Sequence, residues 1–191
     1  MTLLAGFSRP VADAQSTFRR ALKALSEPGT LVTLPTIAAW GCLSPAATAL
    51  LMTLVDRETP LWLDPEFQQE DIVSNLRFHT GAAVTAAFTA PFAVLHVDNH
   101  QPLSAFSAGS ALSPEESTTV ILDLPSLHGG ETLRLSGPGI QTTRNIAPRL
   151  PSRVLSYLLD RPQHFPQGSD LILTSGSQLL ALPRTTHVEV H

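Results

Sequence analysis

The sequence predicts an α/β protein, a three-layer α/β/α domain built on a mixed sheet, and three observations lead there. Helix-like and strand-like segments interleave over most of the chain, the pattern of a sheet with helical crossovers. The two strand candidates near the end, "DLILT" and "QLLAL", are joined by a short turn at Ser175-Gly176, so they pair antiparallel and make the sheet mixed. The length of 191 residues with 43% hydrophobic content suits one core, and the expectation is a single domain over residues 1–191.

The elements follow in order. Residues 11–26, "VADAQSTFRRALKALS", place Phe18, Ala21, Leu22 and Leu25 at helical spacing, with Asp13 as a cap and Arg19, Arg20 and Lys23 pointing elsewhere. After the turn "EPGT", the stretch "TLVTL" is a short strand ending at Pro35. Ser44 caps a second helix with Pro45 in its first position, and "AATALLMTLV" is apolar nearly all round, so this helix is expected to be buried. "TPLWL" is a strand, and "PEFQQEDIVSNLRF" forms one or two helical pieces before a turn at His79-Thr80-Gly81. Strands are expected at "AVTAAF" and "FAVLHV", a short helix over residues 102–108, and a strand at "TTVILDL" after the turn "SPEES". Beyond the Gly129-Gly130 turn, "TLRLSGPGI" is a strand ending in a glycine-proline-glycine corner, and "PSRVLSYLLD" is the last helix, with Pro151 before a capping Ser152. The alternation of Val188 and Val190 with His187 and Glu189 in "RTTHVEV" suits a final edge strand, whose unpaired backbone groups are open to a neighbour.

Composition excludes several function classes. The formal net charge is -4, and Lys23 is the sole lysine beside eleven arginines, with no basic tail or stripe, so nucleic acid is not expected as a ligand. Cys42 is the only cysteine, which rules out an intramolecular disulfide and any four-cysteine zinc or iron–sulfur site within one chain, and fits the cytoplasm. "MTLLAGFSRP" lacks the pattern of a signal peptide, and no apolar stretch is long enough to span a bilayer, so no membrane association is expected. A mean hydropathy of +0.12 is high for a soluble chain of this size, and a covered surface such as a homodimer would account for it.

Few chemical signatures are present. The sequence contains no Walker loop, HExxH, GxSxG or GxGxxG. His187-Val188-Glu189 spells the start of a zinc deaminase motif, but the paired cysteines that must follow do not exist. His96, Asp98 and His100 sit two apart, which on an extended strand would put two imidazoles and a carboxylate on one face as a metal site; the alternative is a strand running out into a polar loop. "SGPGI" could offer backbone N–H groups to a phosphate, although Pro138 removes one donor and an ordinary tight turn explains it as well. Arg19, Arg20 and Lys23 form a small cationic cluster, either a solvated helix face or a docking surface for an acidic or phosphorylated partner. Cys42 is expected to be buried and inert.

Five segments in register, "FRRALKALSEPG", "LMTLVDRETPLWL", "LRFHT", "LRLSGPGI" and "FPQGSDLILTSGSQLLALPRTTHVEV", resemble the PhnH family of bacterial carbon–phosphorus lyase systems over essentially the whole chain. The resemblance implies a subunit of the machinery for alkylphosphonate utilisation, associated with PhnG, PhnI and PhnJ in a core complex and, with PhnL, in forming ribose 1-alkylphosphonate 5-triphosphate from ATP and phosphonate. It implies an accessory role, the purine displacement being attributed to PhnI and the carbon–phosphorus cleavage to PhnJ. It also implies a fold like a reduced large domain of the pyridoxal-phosphate-dependent transferases. Such an enzyme needs a Schiff-base lysine near its cofactor, and only Lys23, inside the first helix, is available, so no pyridoxal phosphate is expected. If the chain is instead an enzyme in its own right, or a contributor to a shared active site, acting on a phosphonylated nucleotide, the candidates are Arg77, His79, Arg184 and His187, guanidiniums to clamp a phosphoryl oxygen and imidazoles to move a proton. Each has a structural alternative, a capping or salt-bridging arginine or a loop histidine.

Overall fold

A computed structural model describes residues 3–191. Helix α1 (Pro10–Ser26) has a proline in its first turn, and Asp13 secures its start from inside: the carboxylate accepts the Arg9 backbone N–H at 2.9 Å and the Arg9 guanidinium at 3.0 Å. The stripe it buries is Asp13, Thr17, Ala21 and Ala24, with Leu25 partly buried against the core; of the expected face Phe18, Ala21, Leu22 and Leu25, the structure corrects Phe18 and Leu22. Asp13 is satisfied at the helix start, and the Thr17 hydroxyl donates to the Asp13 carbonyl at 2.8 Å, so two polar side chains can be buried. The small Ala21 and Ala24 let the helix lie close to the sheet, leaving Phe18 and Leu22 46% and 48% exposed.

Strand β1 (Val32–Thr33) is followed by α2 (Pro45–Leu54), capped by Ser44, whose hydroxyl oxygen accepts the Ala47 N–H at 3.1 Å. Ala46, Ala47, Thr48, Ala49, Leu50 and Leu51 are all buried, as its apolar surround predicts. Next come β2 (Leu61–Leu63), a single 3-10 turn, and α3 (Glu70–Thr80), which ends on Gly81 with φ of 73°, a left-handed cap natural to glycine. The expected turn at His79-Thr80 is therefore the last turn of a helix. Strands β3 (Val84–Thr85), β4 (Phe92–His96) and β5 (Thr119–Asp123) follow. The short helix expected at residues 102–108 is only a 3-10 turn, Leu103–Ala105, because Phe106 leaves it extended to enter the core. Strands β6 (Leu133–Ser136) and β7 (Arg144–Ile146) precede α4 (Ser152–Leu159); Pro151, not Ser152, occupies its cap position. Strands β8 (Leu171–Ser175), β9 (Gln178–Leu182) and β10 (His187–Val190) complete the chain.

Seven strands make one sheet in the order β1-β9-β8-β5-β4-β2-β3. From β8 through β5, β4 and β2 to β3 all neighbours are parallel, while β9 runs against both β8 and β1. Side chains alternate between two cores: Leu61, Leu63, Val94, Ile121 and Ile172 face α1, α2 and α3, and Trp62, Leu95, Leu122, Leu171 and Leu173 face the other way. The layered mixed α/β architecture is thus present. The expected second helical layer is corrected, because that face is covered by α4 together with a three-stranded antiparallel sheet, β10-β6-β7, whose Leu133, Leu135, Ile146 and Val188 share a core with Val154 and Leu158 of α4. "RTTHVEV" is an edge strand of that small sheet, its register set by Val188 opposite Leu135. No helix among the described residues is long and apolar enough to cross a membrane.

Candidate functional site

In open parallel sheets ligands gather at the carboxyl ends of the strands, and here four adjacent strands end in polar groups. Asp64 follows β2, His96 ends β4, Asp123 ends β5 and Thr174 lies near the end of β8. Asp64 is buried and accepts the His96 N–H at 3.0 Å, the Glu66 N–H at 3.1 Å and the Asn99 side-chain amide, so it anchors the loop after β4. Asp123 accepts the Ser44 N–H at 2.7 Å through one oxygen and the Thr174 hydroxyl at 2.7 Å through the other, which docks the start of α2 on the sheet. Burial pushes the Asp123 carboxyl above its ordinary value against these bonds and against the nearby His96 imidazole. Both carboxylates are occupied in holding backbone, and the His96 ring packs edge-on against Phe67 at 5.4 Å.

The raised Asp123 value fixes the sign of a pH effect. Its contribution to stability is complete below the unfolded-state value, taken as 3.8, and is lost as pH rises through the higher folded value. Asp123→Asn keeps an acceptor for Ser44 and can donate to Thr174, so in urea unfolding from about pH 4 to about pH 7 the variant should lose the downward slope that this group gives the wild type. Asp123→Ala should cost about 1–3 kcal/mol near pH 4, since it leaves the Ser44 N–H without its acceptor, and less near pH 7, where the wild type has itself lost stability.

The metal-site expectation is not met in geometry. Strand β4 stops at His96 and the chain turns at Val97-Asp98; His96 Nδ1 and Asp98 Oδ2 stay 3.7 Å apart, but His100 does not join them. His96 Nδ1 accepts the Asp98 N–H at 3.2 Å, His100 is exposed, and among the described residues no three His, Cys, Asp or Glu side chains are grouped to hold a metal.

Arg184 and His187 lie at the opposite, amino-terminal edge of the parallel strands. Arg184 follows β9, and its guanidinium grips Asp170 through Nη2 at 2.8 Å and Nε at 3.2 Å, the Pro114 and Pro166 carbonyls at 3.0 and 3.2 Å, and the Ser117 hydroxyl at 2.6 Å. It is the salt-bridging arginine of the structural alternative, tying three chain segments together. His187 is exposed at the start of β10 opposite Ser136. The "SGPGI" corner is a packing device: a Cβ on Gly137 would come within 2.8 Å of the Thr185 carbonyl oxygen, and one on Gly139 would collide with the Ser26 carbonyl at the end of α1.

Arg77 and His79 stand on α3, across the sheet from this pair and on its other face, so the four candidates do not form one site. The His79 ring stacks on Trp40 at 5.6 Å with its Nε2 bonded to the Leu4 carbonyl at 2.8 Å, pinning the N-terminal segment. Arg77 is exposed and has no partner among the described residues. On α1, Arg20 donates to the Thr33 carbonyl and Lys23 pairs with Glu27 at 2.7 Å, leaving Arg19 without a partner among the described residues. The end of α1 that carries Lys23 leads through Gly29, whose N–H donates to the Ala181 carbonyl opposite Ile172, toward the amino-terminal edge of the sheet. Cys42 is exposed, correcting the expected burial; its sulfur lies 3.3 Å from the Gln69 amide.

Sequence reasoning passed over Asp64, Asp123, Arg153 and Arg161. The first two carry a readable signal, an apolar run ending in a carboxylate in "LWLD" and "VILD". The two arginines carry none, since each is defined by distant backbone: Arg153 Nη2 reaches the His96 carbonyl at 3.5 Å, and Arg161 reaches Ser169, Leu182 and Pro183.

The family described as "Bacterial phosphonate metabolism protein (PhnH)" matches residues 5–189. The chain is 37% identical over 187 residues to the "Alpha-D-ribose 1-methylphosphonate 5-triphosphate synthase subunit PhnH" of Rhizobium meliloti (strain 1021), covering 96% of this chain and 94% of that one. It is 32% identical over 179 residues to the "Putative C-P lyase subunit protein HtxG" of Stutzerimonas stutzeri, covering 92% of this chain and 86% of that one. With a match spanning nearly every element from α1 to β10, the chain belongs to the PhnH family of bacterial phosphonate metabolism proteins.

Proposed function

We propose that this chain is a subunit of a bacterial carbon–phosphorus lyase system, supporting formation of ribose 1-methylphosphonate 5-triphosphate as an accessory member of a cytoplasmic complex. The observation that carries the reading is the near full-length match to a relative named as a subunit of that synthase. The geometry is in keeping with it: Asp64, Asp123, His79 and Arg184 spend their hydrogen bonds on the protein's own backbone and side chains. The partners in this reading are the PhnG, PhnI, PhnJ and PhnL proteins, and the likeness to a pyridoxal-phosphate transferase domain concerns fold without cofactor. The outer face of α1, with Val11, Phe18 and Leu22 exposed beside the free Arg19, is the surface assigned to a partner subunit, a homodimer being the other use for it.

Reconstitution with and without this chain tests the role. Turnover of ATP and methylphosphonate by the remaining subunits should fall sharply when it is left out and return when it is added, while the isolated chain should turn over neither. Nucleotide turnover by the isolated chain, or full activity without it, would end the accessory reading.

A further inference from the structure

An open cleft of about 810 Å3 lies between the end of α4, the segment after it and the tail leading into β10, on the amino-terminal side of the sheet. Three polar atoms of its lining residues are buried without a hydrogen-bond partner among the described residues: Arg161 Nε, Gln163 Oε1 and Thr186 Oγ1. Buried polar atoms are rarely left unpaired. Thr186 is 3% exposed, so its hydroxyl has no compensating solvent. The three make a charged donor, an acceptor and a hydroxyl able to act as either.

Arg161 is held in place by the Ser169 carbonyl at 3.1 Å on Nη1, by Leu182 and Pro183 at 3.4 and 3.2 Å on Nη2, and by the Tyr157 ring 5.6 Å beneath it. All three bonded partners are neutral carbonyls, and Asp170, the carboxylate that acts on its charge, is paired with Arg184. Burial works against its charge, so an anion at Nε would relieve a cost the fold carries. The cleft is within the roughly 300–1,000 Å3 of small-molecule sites, room for far more than a bare oxyanion. Asp160 also lines it, which disfavours a second phosphate and suits a hydroxyl donor, while Glu189 on the same wall is already held by Arg134.

We infer that this cleft binds a sugar monophosphate, with the phosphate on Arg161 Nε and Thr186 and a sugar hydroxyl donating to Gln163. The site is independent of the subunit assignment, which is tested by assembly, so either can fail alone. Titration calorimetry on the intact chain uses ribose 5-phosphate, inorganic phosphate and ribose. Ribose 5-phosphate should bind, inorganic phosphate about tenfold more weakly, and ribose without measurable heat. Thr186→Val should weaken ribose 5-phosphate about tenfold while melting at the wild-type temperature or above, because it removes a hydroxyl that bonds nothing in the free protein. No binding of ribose 5-phosphate to the wild type, equal binding of inorganic phosphate, or wild-type affinity in Thr186→Val would overturn the assignment. A markedly lower melting temperature in Thr186→Val would overturn it too, by showing the hydroxyl to be structural.

Discussion

Arg184→Ala should lower the urea midpoint by the equivalent of about 3 kcal/mol with an unchanged slope, one of the largest single-residue losses in the molecule. The guanidinium is largely buried, and it joins the tail after β9 to Asp170, to the Pro114 and Pro166 carbonyls and to Ser117. Truncation leaves the Asp170 carboxylate with the residue 184 backbone N–H but no counter-charge from that side chain, and takes a donor from two carbonyls; the penalty for such partners exceeds the worth of the bonds themselves. Lysine is no substitute, because one ammonium cannot span a bidentate carboxylate and two carbonyls in different directions. Assembly and turnover should therefore fall together with stability. Turnover lost at an unchanged midpoint would instead make Arg184 a ligand-facing residue.

That network explains why Arg184 was legible only as an ambiguity. "LPRTTH" shows an arginine after a strand-ending proline, but the groups it meets lie 14 to 70 residues away in the chain, and no local pattern encodes them. The strands were legible for the opposite reason. Runs such as "VILD" and "LILT" are apolar on consecutive residues because both faces of the sheet are covered, and that composition shows without any contact map. The small sheet was half visible: β6 and β10 alternate clearly, whereas β7 is the three-residue "RNI", too short and too polar to announce itself. The unpaired atoms of the cleft were invisible altogether, since an unpaired atom is a property of packing.

Helix α1 is the case where the pattern misled, and it leads to the second large effect. Periodicity assigned Phe18 and Leu22 to the core because they are apolar, yet the buried stripe runs through Asp13 and Thr17. The helix thus has two faces that avoid water, one inside the fold and one of Val11, Phe18 and Leu22, exposed by 75%, 46% and 48%. An apolar helical stripe carrying an aromatic side chain with an unpaired arginine beside it has the composition of an interface centre. Phe18→Asp combined with Leu22→Asp should leave the melting temperature within a few degrees of wild type, because neither side chain fills the core. The same pair should weaken capture by the other core subunits by about 2 kcal/mol or more, roughly thirtyfold in affinity. Sedimentation of the isolated chain separates the alternatives: a dimer that dissociates in the double variant while capture is unaffected assigns the stripe to a second copy. Capture and self-association both unchanged would remove α1 from the interface altogether, and the exposed Arg77 and Phe78 of α3 would be the next face to substitute.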